Sequence, residues 1–422
     1  MAAMTQDKAA VEQAHVAEEL VLDNVDGLRA AVQEACKKYE AEVGHKLPAD
    51  LVSDVRMARF LSAHAQDEGK AASAYEQMLA WRKEMEIEAL RKKHLEEVEI
   101  LQQSSFPHWK EIREAGEYGP WYVAGKSHAG DLVHLEVIGA SDPSFLLTQV
   151  SDRMVLEHYI GFFETRAKIL DSLSAETNRM VRTVQIRDLS KFGVSLVQHA
   201  SAMKVLSAVM KAGSAYYPES SSKVIFVNTP MSFYGVWKMA SMALRQRTLD
   251  KVTFLQSRYH RELLKYVEPR VIHRLEKMKS IDNHDFIEKG EEEDHLPLEI
   301  SATVSVAAGK TDYYPLWMTR SGPRSKAVIE VSVPSGSAAG TEPPSAELIF
   351  CSNAEGHKVE ETKLPGAAYA TGVPGRYEVT FPEMLPDTVQ DAYLLVTFDN
   401  TASWMMSLSV PLKVSFTGEA AA

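Results

Sequence analysis

The chain has 422 residues, 45% of them hydrophobic and 25% charged, which is an ordinary globular mixture and predicts two or three domains. Its formal net charge of −12 argues against a general nucleic-acid binder, which would present a basic face. Two cysteines, Cys36 and Cys351, are too few for a disulfide framework and favour a reducing compartment. The sequence shows neither an apolar leader region nor an apolar run of 18 residues, so we expect a cytoplasmic protein.

The first hundred residues predict helices. Residues 1–47 form an N-terminal helical extension, in which apolar side chains recur at helical spacing from residue 17 to residue 43. Gly44 and Pro48 interrupt this pattern. A second helical pattern covers residues 48–100, which we interpret as a separate set of helices.

Residues 101–279 predict an α/β domain. The expected strands lie at 132–138, 182–188 and 223–228. The expected helices lie at 149–173, 195–212, 231–246, 257–267 and 270–279. Strands that alternate with helices in this way predict a largely parallel sheet.

Helical periodicity ends at residues 280–296, where acidic side chains accumulate and predict a solvated linker. Beyond it, residues 297–418 contain short β-type runs separated by Pro, Gly and Ser. The runs lie at 302–306, 327–333, 347–351, 376–381, 392–398 and 407–416. This pattern is typical of an all-β sandwich.

Motifs for catalysis or metal binding are not evident. The His and Cys residues lack metal-ligating spacing, and no Gly-x-Ser-x-Gly nucleophile elbow occurs. Gly125-Lys126-Ser127 lacks the earlier glycine of a phosphate-binding loop, because position 120 is proline, and is interpreted as a polar turn. We therefore predict no catalytic residues, no metal site, no cofactor and no enzyme activity. An active site assembled from distant residues stays an open alternative.

One segment combines several unusual features. Tyr216-Tyr217-Pro218-Glu219 precedes a predicted strand, and that strand ends at Asn228-Thr229-Pro230. The next helix is rich in large apolar side chains, among them Phe233, Trp237 and Met239. The plain interpretation is a well-packed βα unit. The alternative is a surface that closes over a hydrophobic ligand or enters a bilayer interface.

With its neighbours, this segment resembles the CRAL-TRIO family of lipid-transfer proteins over residues 48–280. The Tyr-Pro-Glu and Asn-x-Pro pair is the most specific match. The helical N-terminal piece is similar in Arg59-Phe60-Leu61 and Trp81-Arg82-Lys83, and the second strand is similar in Val184-Gln185-Ile186-Arg187-Asp188-Leu189. The resemblance implies a helical N-terminal segment followed by an α/β lipid-binding domain.

The C-terminal region resembles a GOLD domain. The matching residues are Pro374-Gly375-Arg376-Tyr377 and Phe398-Asp399-Asn400-Thr401-Ala402-Ser403-Trp404. CRAL-TRIO followed by GOLD is the arrangement of the supernatant protein factor, tocopherol-associated and patellin-like group. The resemblance implies transient membrane contact and a protein partner for the GOLD-like domain. Nucleic acid is not expected as a partner, because the net charge is acidic.

The family fold implies an apolar pocket between one sheet face and a mobile gate helix. Because a strand alternates its faces, Thr183, Gln185 and Arg187 share one side. The candidate ligand-binding residues implied by the resemblance are His134, Thr183, Gln185, Arg187, Ile225, Val227, Phe233, Val236, Trp237, Ala240 and Leu244. The alternative is that the polar members only form hydrogen bonds within the sheet.

The ligand is expected to be a single lipid-like or isoprenoid-type molecule. Phosphoinositide-binding members of the family carry a Glu and a Lys where this sequence has Ala208 and Ser241. A neutral ligand is therefore favoured: a sterol, isoprenoid, carotenoid, tocopherol or retinoid. Phosphatidylinositol or phosphatidylcholine transfer and a lipid-sensing adaptor in vesicle trafficking are the alternatives. In each case the protein is expected in the cytoplasm, peripherally membrane-associated at times.

Overall fold

The structure is a computed structural model of the 422-residue chain. It describes residues 19–22, 25–96, 98, 101–115, 121–138, 143–190, 192, 200–244, 246–280, 298–334, 344, 346–353, 359–363, 375–383 and 385–418. The described residues divide into two compact units, one of residues up to 257 together with 275–280, the other of residues 258–274 together with those from 298 onward. Apart from Ser280, the predicted linker at 280–296 lies outside the described residues. The predicted domain boundaries stay predictions.

The N-terminal part of the first unit is helical, as the periodicity predicts. Its helices are α1 (Val25–Val43), α2 (Asp54–Ala63), α3 (Glu68–Glu84) and α4 (Ile87–His94). Ser53 and Asp67 cap α2 and α3, since each side chain accepts a hydrogen bond from a backbone N–H in the first turn. The helix predicted from residue 17 begins only at Val25, and Glu19 instead forms an isolated β-bridge with Arg179.

A five-stranded sheet follows. Its strands are β1 (Trp121–Lys126), β2 (Leu132–Glu136), β3 (Thr183–Asp188), β4 (Ser221–Val227) and β5 (Val252–Phe254). They lie in the order β1-β2-β3-β4-β5, with β1 antiparallel to β2 and the other neighbours parallel. The predicted, largely parallel α/β sheet is confirmed. The edge strands β1 and β5 were not predicted.

The remaining helices among the described residues connect these strands or follow them. They are α5 (Trp109–Glu114), α6 (Pro143–Gln149), α7 (Asp152–Thr177), α8 (Ala200–Tyr216), α9 (Phe233–Ala240), α10 (Gln246–Leu249), α11 (His260–Leu263) and α12 (Pro269–Ser280). The single helix expected at 231–246 is wrong in length, because α9 ends at Ala240 and a 3₁₀ turn at Ser241–Ala243 follows it.

The C-terminal unit holds the predicted all-β region. Its strands are β6 (Glu299–Val306), β7 (Thr311–Thr319), β8 (Lys326–Val331), β9 (Glu347–Asn353), β10 (Val359–Lys363), β11 (Arg376–Thr380), β12 (Asp391–Asp399) and β13 (Leu408–Phe416). They form two antiparallel four-stranded sheets, β10-β9-β12-β7 and β11-β8-β13-β6. One apolar core joins them, with Phe350 from the first sheet and Ile329 from the second both fully buried. Its GOLD identity stays a prediction.

Buried ion pairs fasten the N-terminal helices to α7. The Glu164 carboxylate accepts hydrogen bonds from Arg82 at 2.7 Å, from Arg91 at 2.7 Å and from the Tyr217 hydroxyl at 2.5 Å. Further along α7, Asp171 accepts from Arg56 at 2.7 Å and from Arg59 at 2.6 Å. Both carboxylates are almost fully buried, so these pairs are shielded from salt and solvent.

We expect Glu164→Gln to lower the free energy of unfolding by about 3 kcal/mol, because it removes a buried carboxylate shared by Arg82 and Arg91 and leaves the buried Arg82 with Glu88 alone. Urea denaturation measures the loss. Glu176→Gln, on an exposed part of the same helix, is the matched control and should change stability by less than about 0.5 kcal/mol. Equal effects of the two substitutions would contradict a stabilising role for the pairs.

The same network predicts acid sensitivity. Burial opposes ionisation of Glu164, but Arg82 and Arg91 outweigh it and hold its pKa far below the usual range. A lowered folded-state pKa contributes stability above the unfolded-state value of about 4.3, and this contribution is lost as pH falls further. Thermal unfolding should therefore show a melting temperature that drops below about pH 4, with a smaller drop in Glu164→Gln. A melting temperature independent of pH there would refute the assignment.

Candidate functional site

A cavity of about 300 Å³ lies inside the first unit, between one face of the five-stranded sheet and the helices α6 to α9. Most of its lining is apolar. Helix α7 contributes Val155, Tyr159, Phe162 and Phe163, and helix α8 contributes Ala202, Val205, Leu206, Val209 and Met210. Both sets recur at spacings of three and four residues, so each helix presents one apolar stripe to the cavity.

The sheet supplies the floor of the cavity in two cross-strand rows. Gln185 pairs in register with His134 and with Val224, and Arg187 pairs with Glu136 and with Phe226. These six side chains share one face, and all six line the cavity. The floor is therefore polar over β2 and β3 and apolar over β4.

The helix α9 covers one side of the cavity. Its residues Phe233, Val236 and Trp237 line the cavity, and the rings of Phe233 and Trp237 lie 5.2 Å and 5.7 Å from that of Phe226. The opposite side of this segment is exposed, with Met231 at 70%, Tyr234 at 38%, Met239 at 41% and Met242 at 80%. The cover thus presents large apolar side chains on both surfaces, with Lys238 also exposed on the outer one.

The polar end of the floor is tied together by hydrogen bonds. Arg187 lies 3.1 Å from Glu136 and donates to the side-chain carbonyl oxygen of Gln185 at 2.8 Å. Gln185 in turn donates to the Ser221 hydroxyl at 2.5 Å. The ring nitrogens of His134 are buried without a hydrogen-bond partner among the described residues. Burial, followed by the charges of Arg187 and Arg166, holds the pKa of His134 well below its ordinary value, so the ring is neutral.

Arg166 faces this polar end from α7. It is buried, it lines the cavity, and its guanidinium carbon lies 4.8 Å and 5.2 Å from the ring centres of Phe162 and Phe163. Sequence reasoning does not identify it, because the family resemblance assigns the pocket to the strands and the gate helix alone. Its position three residues after Phe163, on the apolar stripe of α7, is the signal that could have found it.

A second polar group closes the cavity where β4 begins. Glu219, with a left-handed backbone φ of 52°, lies within 2.8 Å of Arg182, 3.0 Å of Arg247 and 3.1 Å of Lys251. These cations outweigh the effect of burial and lower the pKa of Glu219. The last residue of the Tyr-Tyr-Pro-Glu motif therefore anchors α10 and β5, which follow the cover helix.

The structure brings most of the predicted pocket residues together. Those that line the cavity are His134, Gln185, Arg187, Phe233, Val236, Trp237 and Leu244. Thr183 does not line it, since its hydroxyl donates to the Ser220 carbonyl at 2.8 Å. Ile225 and Val227, which were predicted to line the pocket, lie on the opposite face of β4. Val224 and Phe226 line the cavity instead. Ala240 belongs to α9, but its side chain lies outside the described part of the structure.

Two further properties of the described residues bear on metal binding and membrane insertion. They contain no cluster of three or more His, Cys, Asp or Glu side chains placed to hold a metal ion. No described helix combines the length and the apolar character needed to cross a membrane. The identity of the ligand and its contacts with the predicted residues stay predictions.

A substitution that fills the cavity tests whether this space is used. We expect Val209→Trp, on the cavity stripe of α8, to reduce ligand uptake by about tenfold or more, because the larger ring occupies the space of the ligand. Bound ligand is measured by mass spectrometry of the recovered protein. Lys211→Trp, on the exposed side of α8, is the control and should bind as the unaltered chain does. Unchanged uptake by Val209→Trp would show that this cavity is not the binding site.

Part of the chain is similar to known proteins. The family model described as the CRAL/TRIO domain matches residues 116–274. A phosphatidylinositol/phosphatidylcholine transfer protein of Arabidopsis thaliana, SFH9, is 25% identical over 215 residues, which cover 50% of this chain and 35% of that protein. The SEC14 cytosolic factor of Eremothecium gossypii is 24% identical over 246 residues, 58% of this chain and 74% of the relative.

Among solved structures, the crystal structure of Sfh5 aligns with a TM-score of 0.39 and 17% identity, over 55% of this chain and 78% of that one. The match to SFH9 spans about a third of that protein's length. The family match covers the strands β1 to β5 and the helices that surround the cavity. Residues 116–274 of the chain therefore match the CRAL/TRIO domain.

Proposed function

We propose that the chain binds one lipid molecule in the cavity and transfers it to membranes or presents it there. The observation that carries this proposal is the cavity itself: an apolar space with a few polar groups at one end, covered by α9. Ligand sites that hold a largely apolar molecule with one polar end have this composition. The name of the Arabidopsis relative, a phosphatidylinositol/phosphatidylcholine transfer protein, supports the same function.

The cover explains how a tightly held lipid would leave. A ligand with about 400 Å² of apolar surface gains about 10 kcal/mol on burial, so its release into water is slow. Release into a bilayer keeps the ligand in an apolar environment. The exposed side chains Met231, Tyr234, Met239 and Met242 supply an apolar outer surface that enters the interface. We therefore assign to α9 and the 3₁₀ turn after it the function of a gate that membrane contact opens.

The chemical class of the lipid follows from two opposed observations. Ala208 and Ser241 stand where phosphoinositide-binding relatives carry charges, which supports a ligand without an inositol head group. The cavity nevertheless contains charged groups at Arg166, Arg187 and Glu136. Arg187 and Glu136 contact each other, but a wholly neutral hydrocarbon would leave the charge of Arg166 without a polar contact among the described residues. These charges support the phospholipid alternative over the neutral sterols and isoprenoids favoured by the sequence.

For the β-sandwich we propose adhesion to a membrane or to a protein partner, as the GOLD resemblance implies. The loop after β12 supports a contact role, since Trp404, Met405 and Met406 are 86%, 69% and 75% exposed. The side-chain amide of Asn400 holds this loop in place, because it lies 3.1, 3.2 and 2.9 Å from the carbonyl oxygens of Val306, Ala307 and Met406. This proposed adhesion is consistent with a cytosolic protein that binds membranes transiently.

The gate assignment predicts the effect of charge on its outer surface. We expect the double substitution Met231→Asp and Met242→Asp to slow lipid transfer between vesicles by at least about tenfold, because two carboxylates must be desolvated to enter the interface. Lipid already bound should be retained, since neither residue lines the cavity. Fluorescence transfer between donor and acceptor phosphatidylcholine vesicles measures the rate.

Val52→Asp, an exposed apolar position outside both α9 and the loop after β12, is the matched control and should leave the transfer rate within about twofold. If the double variant transfers lipid at the unaltered rate, the gate does not open through this surface. If the unaltered chain takes up no lipid from vesicles at all, the proposed function itself is wrong.

A further inference from the structure

Arg166 differs from the other buried arginines that the structure describes in the first unit. Arg56 and Arg59 pair with Asp171, Arg82 pairs with Glu164, and Arg182 pairs with Glu219. Arg166 is 4% exposed, yet it has no ion pair and no hydrogen bond to any described residue. A buried charge without a partner costs several kcal/mol.

The position of Arg166 on α7 explains why the carboxylate of Glu164 does not serve it. The two residues lie two positions apart, so their side chains point to different sides of the helix. Glu164 faces Arg82 and Arg91, whereas Arg166 faces the cavity. The rings of Phe162 and Phe163 are the neighbours of the guanidinium. Their faces attract a cation, but they carry no counter-charge.

The surrounding groups leave this end of the cavity positive. Glu136 is the carboxylate of the polar floor, and it lies against Arg187. His134 is neutral and has no hydrogen-bond partner among the described residues. Ser214, another residue of the lining, also has a buried hydroxyl oxygen with no partner there. Two guanidinium groups and one carboxylate thus remain, together with unpartnered groups able to donate hydrogen bonds.

We propose that Arg166 binds a carboxylate or phosphate oxyanion carried by the lipid in the cavity, so that the ligand is an acidic amphiphile. This inference rests on the proposed lipid-binding function and names the chemical class of its ligand. Guanidinium groups bind carboxylates and phosphates through paired hydrogen bonds, and the bond is strongest where water is excluded. His134 and Ser214 provide additional polar contacts for the same head group.

Paired lipids that differ only in charge test this inference. The delipidated full chain is incubated with oleate or methyl oleate, and separately with dioleoyl phosphatidate or dioleoylglycerol dispersed in a neutral detergent. Bound lipid is quantified by mass spectrometry of the recovered protein. We expect the acidic member of at least one pair to bind about 30-fold or more tightly than its neutral partner, as for other buried charge pairs. Binding of both members with equal affinity in both pairs would overturn the proposal.

Variants of Arg166 localise the effect. Arg166→Met should abolish the preference while neutral-lipid binding is retained, and Arg166→Lys should keep part of it. Arg153→Met, an exposed position on the same helix, is the control and should leave the preference intact. A preference that persists in Arg166→Met would assign the anion to other residues and overturn the proposal.

Two more measurements distinguish a lipid-anion site from a purely structural arginine and from a site for free anions. Without ligand, Arg166→Met should melt no lower than the unaltered chain, because it removes an unpaired buried charge. A clearly lower melting temperature would indicate a structural role for Arg166 and contradict the proposal. Competition by millimolar inorganic phosphate, without any preference among the lipids, would identify a free-anion site and overturn the lipid assignment. Failure to recover lipid of any kind would instead refute the proposed function on which the inference rests.

Discussion

The buried carboxylates of Glu164 and Asp171 are the constraint on which the first unit depends. They fix α7 against the N-terminal helices through four arginines, and so decide which side of α7 turns toward the sheet. The side left over carries the apolar stripe and Arg166. Packing at one surface of this helix therefore positions the functional groups at the other, and the cavity follows from how the N-terminal helices are held.

The architecture was largely predictable from the sequence, because helices and strands have distinct periodicities. The first unit shows both periodicities, whereas the C-terminal region shows only strand patterns. The orientation of β4 was not. Its residues Val224, Ile225, Phe226 and Val227 are all apolar, so alternation assigns no face to the cavity. On β3 the polar residues Gln185 and Arg187 alternate with apolar ones, and there the face was predicted. Register with β3 across the sheet then determines β4.

The chemistry of the cavity was harder to predict for a related reason. The residues Ala208 and Ser241 stand where relatives carry charges, and from them the sequence favours a neutral ligand. The charges of this chain lie elsewhere, on α7 and on the two polar strands. A motif comparison detects a charge that is lost from its usual position, but it does not detect one gained on a different element. That a single arginine on an apolar stripe lacks a carboxylate partner emerges only from three-dimensional contacts.

The loop after β12 is held in one conformation by hydrogen bonds, and this matters for recognition as much as its exposure does. Asn400 ties the backbone at three carbonyl oxygens, and the Ser403 hydroxyl adds hydrogen bonds to Met406. The chain that carries Trp404 is thus ordered before any contact forms. Whatever this tip meets, little backbone entropy remains to be lost on association, so even a small apolar contact can yield useful affinity. A rigid support makes a short loop an effective anchor.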